Sequence, residues 1–153
     1  MLAFFEWCEA TALGAAIRSS LWMFPVIESA HLLALAVIGG CILIVDLRLL
    51  GLAMRDQPVR QLARDVAPWL IGGLAVMITT GITLFLSEAI KCYYSPAFWT
   101  KMGALLPALI FTFTIRRKAV DADRRLWSRC AAVASLTLWS IVGAAGRWIG
   151  FSG

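Results

Sequence analysis

Four long apolar runs constrain what this chain can fold into more than any other feature. They cover residues 24–45, 68–86, 96–115 and 130–148, with Lys101 interrupting the third near its start. Each is close to the ~20 residues an α-helix needs to cross a hydrocarbon layer of ~30 Å. Lipid offers the backbone no hydrogen-bond partner, so such runs must close their own bonds as helices. None alternates with period two, which argues against a barrel. Composition agrees: 61% of the 153 residues are apolar, against ~45–50% in a soluble domain, and the mean hydropathy is +0.82. The predicted fold class is all-α, an integral membrane four-helix bundle forming a single domain over 1–153. No loop is long enough for a separate soluble core.

The prolines and charges orient the spans. Pro25, Pro68 and Pro96 suit first helical turns, and Pro107 inside the third span is expected to kink it. Arg48, Arg55, Arg60, Arg64, Arg116, Arg117, Lys118, Arg124, Arg125 and Arg129 fall in the two loops on one side, whereas Arg18, Lys91, Lys101 and Arg147 fall on the other. By the positive-inside rule the basic loops are cytoplasmic and both termini periplasmic in a bacterial inner membrane. The net charge of +5 therefore points to anionic headgroups and not to nucleic acid. The opening "MLAFFEWCEA" carries two acids and no base, unlike a secretory n-region, so the N-terminus is expected to be retained. The stretch up to Phe24 predicts an amphipathic interfacial helix. Trp22, Trp99 and Trp148 at one set of span ends, and Trp69 and Trp127 at the other, fit an aromatic belt.

His31, the single histidine, lies six residues past Pro25, or ~9 Å at 1.5 Å per residue. An ionisable group at that depth is costly and normally faces the bundle interior with a partner. Glu28 sits one turn above it, and Leu35 and Gly39 continue the same face. Two readings of His31 stand side by side. In one it ligates haem iron, because neutral imidazole is a common axial ligand and a helical bundle offers a dry cavity. The second ligand is then Met102, or His31 of another copy across a two-fold axis. Thr80 would approach the cofactor, Glu28 would relay protons or hold the imidazole N–H, and Lys101, Lys91 or Arg18 would balance propionates. In the other reading His31 is structural, held by Glu28, a threonine or a carbonyl, and Glu28 pairs with Arg18, Lys91 or Lys101. Thr79, Thr80 and Thr83 could equally be interhelical packing residues.

Asp46 and Arg48 end the first span and are expected to anchor it, pairing with Arg60, Arg64 or Asp65. Gly146 and Gly150 make a G-x-x-x-G spacing, a weak sign of close helix contact. Cys8, Cys41, Cys92 and Cys130 include no C-x-x-C pair. Cys8 and Cys92 fall on the oxidising side, where a disulfide is an open alternative. Nucleotide loops, Ser-His-Asp sets and H-E-x-x-H are absent, so a self-contained enzyme is not expected.

The stretch "SLWMFPVIESAHLLALAVIGGCILIVDLRLLG", with "TGITLF" and "SPAFWTKM" further on, resembles an uncharacterised bacterial family of small four-span membrane proteins. The resemblance covers most of the chain. It is carried by the "LW-x-(F/Y)-P-x-x-(E/N)-S-x-H" and "DLRLLG" segments, and His31 falls at the motif histidine. That family is more distantly similar to copper-resistance D-type proteins and to small b-type cytochrome bundles, which implies four helices. Many members also have a histidine near the cytoplasmic end of span three, where this chain reads "FTFTIRR". Two functions are carried forward. One is a haem b-associated electron-transfer or membrane-anchor subunit that works with other membrane subunits or as a homo-oligomer, with a periplasmic redox partner. The other is a non-catalytic accessory or scaffold subunit.

Overall fold

A computed structural model describes residues 1–121 and 125–149. Arg124 and Gly150, used above for the charge balance and the glycine spacing, lie outside the described residues. The described chain is almost wholly helical. Two short helices, α1 (Leu2–Glu9) and α2 (Ala12–Ser19), precede α3 (Met23–Leu50) and α4 (Val59–Ser87). Then come α5 (Ala89–Tyr94), α6 (Pro96–Phe111), a π-helical turn (Thr112–Arg116), α7 (Arg117–Asp121) and α8 (Arg125–Ile149). Helices α3, α4, α8 and the continuous stretch Pro96–Asp121 are each long and apolar enough to cross a membrane. The chain is a multi-pass membrane protein built as a helical bundle.

The helices outrun the apolar stretches chiefly at the basic end. Once nucleated, a helix adds a backbone bond for each residue it fixes, so it continues past the hydrocarbon into charged sequence. This corrects the expected place of Pro68. Helix α4 starts at Val59, with Pro58 in extended conformation as its N-cap, and Pro68 lies inside it. Pro25 and Pro96 do sit in first turns, the latter beneath Ser95, whose hydroxyl accepts the Phe98 N–H. Helix α6 runs on through Pro107, and the irregularity comes later as the π-turn. A π-turn inserts one residue and rotates everything after it.

The interfacial helix expected at the N-terminus is two helices. Thr11 breaks the run, and its hydroxyl caps α2 by accepting the Gly14 N–H. Both pieces dock on the bundle through buried Phe5, Cys8 and Ile17. Charge fixes the dock: the Glu9 carboxylate accepts the Ile90 N–H at 2.7 Å, and Arg18 donates to the Ser87 carbonyl at 2.9 Å and the Glu9 carbonyl at 2.8 Å.

Helix α3 packs on α4 and α8, and α8 packs on α6. The core joins Ile38 and Ile42 of α3, Leu74 and Met77 of α4, Ala108 of α6 and Trp139 of α8. Helices α4 and α6 are the neighbours that hardly touch along their length. Instead, α4 and the continuous stretch Pro96–Asp121 are clasped at their ends. Phe85 stacks on Phe98 at one end, with ring centroids 5.7 Å apart, and Arg60 pairs with Asp121 at 2.8 Å at the other. The seam between those clasps leaves a cavity.

Candidate functional site

The cavity holds about 600 Å³ and lies in the half of the bundle nearer the termini, a size common for small-molecule sites. His31, Glu28, Lys101 and Met102 all line it. Thr80, the fifth residue singled out in the sequence, stands behind His31. The surrounding wall is mainly apolar, with Met77, Phe85 and Phe98 prominent, and Glu88 and Lys91 mark the polar mouth.

The hydrogen bonds of His31 define its chemistry. Its Nδ1 is 2.9 Å from the Thr80 hydroxyl. That hydroxyl already gives its single hydrogen to the Val76 carbonyl at 2.6 Å. Thr80 must therefore accept, so Nδ1 carries the proton. The Nε2 lone pair is left facing the cavity, where Lys101 Nζ approaches to 3.4 Å. A fixed Nδ1–H with an outward Nε2 is the arrangement that second-shell hydrogen bonds impose on metal-binding histidines. Both glycines nearby serve closeness. A Cβ at Gly81 would stand 3.2 Å from His31 Cε1, and one at Gly146 would stand 3.4 Å from the Lys101 ammonium. Thr79 and Thr83 bond only to carbonyls of their own helix.

Several expected pairings resolve differently. Glu28 does not hold the imidazole, since Thr80 and Lys101 take both ring nitrogens. Nor does it pair with a base among the described residues: Arg18 lies near Glu9, Lys91 near Glu88, and Lys101 against His31. Lys101, expected to balance propionates or to pair with Glu28, is the α6 group that meets Nε2. Cys8 and Cys92 are free, buried thiols, as is Cys41, and Cys130 is a free exposed one, so no Cys8–Cys92 disulfide bridges α1 to α5. Burial, reinforced by the Glu88 carboxylate, pushes the Cys92 thiol up to about 11.

Asp46 was expected to pair within the first basic loop. It reaches instead across the bundle to Arg116, whose Nε donates to Oδ1 at 2.7 Å while another nitrogen donates to the Ile42 carbonyl at 3.2 Å. Asp46 is 0% and Arg116 6% exposed. Sequence reading assigned Arg116 to a headgroup-facing loop and missed this pair. The available signal was one acid and one base, each abutting the same end of an apolar run.

Among the described residues no three His, Cys, Asp or Glu side chains gather to hold a metal ion. A metal at His31 would need to arrive with ligands of its own. No curated protein and no solved structure matches the chain. The profile of a family described as of unknown function, DUF6644, matches residues 4–152, and the chain belongs to that family.

Proposed function

We propose that this protein is a haem b-binding subunit of the bacterial cytoplasmic membrane, anchoring or exchanging electrons with a larger redox complex. The observation that carries this reading is the His31 tautomer. Thr80 holds Nδ1–H, so the Nε2 lone pair is presented to a largely apolar cavity between α4 and α6. A lone imidazole suits a metal held in a macrocycle, which supplies its own equatorial ligands. Bound haem would supply a one-electron couple. The chain's own part is to fix the imidazole, exclude water with Met77, Phe85 and Phe98, and meet the propionates with the Lys101 and Lys91 ammoniums. Lys101, which meets Nε2 here, would then be free to turn to a propionate carboxylate. Met102 lines the same cavity, and its thioether would be a candidate second ligand.

A second reading draws on a specific contact. Thr80, His31 and Lys101 link α4, α3 and α6 in one polar chain, and a scaffold subunit would need nothing more of His31. One experiment separates the two. Haemin titrated into purified protein should give a Soret band that His31→Ala abolishes. Thr80→Val, which removes the acceptor for Nδ1–H, should weaken haem retention by roughly 10–100-fold. Protein from a haem-replete host that is colourless and gives no Soret band with haemin would leave only the scaffold reading. In that case His31→Ala should lower the melting temperature and change nothing else.

A further inference from the structure

A second cavity, of about 650 Å³, opens at the opposite, basic end of the bundle. It lies between the end of α3, the α3–α4 loop and the start of α8. Arg48, Arg55, Arg125 and Arg129 line it above an apolar floor that includes Leu49 and Val120, and no carboxylate among the described residues lines it. Two other arginines at the same end do meet a carboxylate. Arg60 is neutralised by Asp121 and Arg116 by Asp46. Arg48 instead donates Nε to the Gln57 carbonyl at 2.7 Å and a terminal nitrogen to the Arg55 carbonyl at 3.1 Å. Arg55 donates Nε to the Gly51 carbonyl at 2.6 Å.

Carbonyls orient a guanidinium without cancelling its charge, and a guanidinium with five N–H donors keeps most of them for a ligand. Arg125 and Arg129, one turn apart on α8, have no ion pair among the described residues. Converging like charges repel, and a multiply acceptor-bearing anion between them relieves that repulsion. Arginine forks match phosphate oxygens in particular. The apolar floor adds room for carbon attached to the phosphate.

We propose that this cavity binds a phosphate-bearing anion, with Arg48, Arg125 and Arg129 taking the phosphate oxygens. Two sources share that chemistry: the headgroup of an acidic phospholipid in the adjoining leaflet, and a soluble phosphate compound. The test uses delipidated full-length protein in neutral detergent, with thermal melting and retained-lipid mass spectrometry as readouts. Phosphatidylglycerol, phosphatidylcholine with the same acyl chains, and inorganic phosphate at matched ionic strength are the probes.

A melting temperature raised by phosphatidylglycerol but not by phosphatidylcholine supports the site and assigns it to lipid. A rise with inorganic phosphate assigns it to a soluble ligand. Arg125→Gln and Arg129→Gln should each cost about tenfold in affinity, the loss expected for a hydrogen bond to a charged group. Arg64→Gln, on the same face but outside the cavity, should cost nothing. All three arginines are exposed, so the variants keep the fold, which an unchanged ligand-free melting temperature would verify. The proposal is overturned if none of the probes raises the melting temperature, if phosphatidylcholine serves as well as phosphatidylglycerol, or if Arg64→Gln weakens binding as much as Arg125→Gln.

Discussion

At the scale of single residues, two of the polar contacts inside the apolar bundle are built differently. Asp46 and Arg116 form a closed ion pair, buried and bonded to each other at 2.7 Å. His31 sits instead in a polar chain at the edge of a cavity, with Nδ1 held by Thr80 and Nε2 met by Lys101 at 3.4 Å. A closed pair serves structure, because its charges cancel in place. Removing one partner strands the other charge, at a cost of about 3–5 kcal/mol. Asp46→Leu and Arg116→Met should each destabilise by that order in reversible denaturation in detergent. The double variant should recover most of the loss, because desolvating an ion pair costs about as much as its attraction returns. Two single losses that simply add would show that the pair does not act as a unit. Neither contact could be assigned from sequence position alone: Arg60, Arg64 and Asp65 all lie nearer to Asp46 in the chain than Arg116 does.

At the scale of elements, irregularities place the side chains. The π-turn over Thr112–Arg116 rotates the end of the third span so that Arg116 points inward to Asp46, while Trp139 donates to the Thr112 hydroxyl at 3.0 Å. A regular helix would carry Arg116 to another face. The N-terminal pair α1–α2 is a second such device, closing the terminal end of the bundle over Phe85 and Ala89. Gly14 is its closest approach, because a Cβ there would collide with the Leu86 carbonyl. Gly14→Ala should therefore lift α2 from α4, at the roughly 1–3 kcal/mol typical of overpacking. Hydrogen exchange should quicken over residues 1–19 and stay unchanged in α3 and α8. Protection that is unaltered in α1 and α2 would place the support elsewhere, with Arg18 and Glu9 the next groups to substitute.

At the scale of the whole molecule, the described helices leave α4 and α6 parted between two clasps, and both cavities lie beside the ends of the spans. Charge asymmetry makes an orientation prediction that the helices alone do not. Alkaline phosphatase fused after the fourth span should be active, and fused in the α3–α4 loop inactive; the opposite pattern would reverse the assignment of the two cavities to the two sides. The sequence by itself determined the helical class, the number of spans and the basic face. Those follow from hydropathy, backbone hydrogen bonding and charge counting, which act along the chain and need no neighbour. It also singled out His31, Glu28, Thr80, Lys101 and Met102, because polar groups are conspicuous in an oily run. Their grouping around one cavity, the proton on Nδ1, the approach of Lys101 to Nε2, and the Asp46–Arg116 pair were decided only by tertiary structure. Each depends on which faces of α3, α4, α6 and α8 meet, and that depends on helix rotation, glycine clearance and a π-turn, none of which leaves a periodic trace in the sequence.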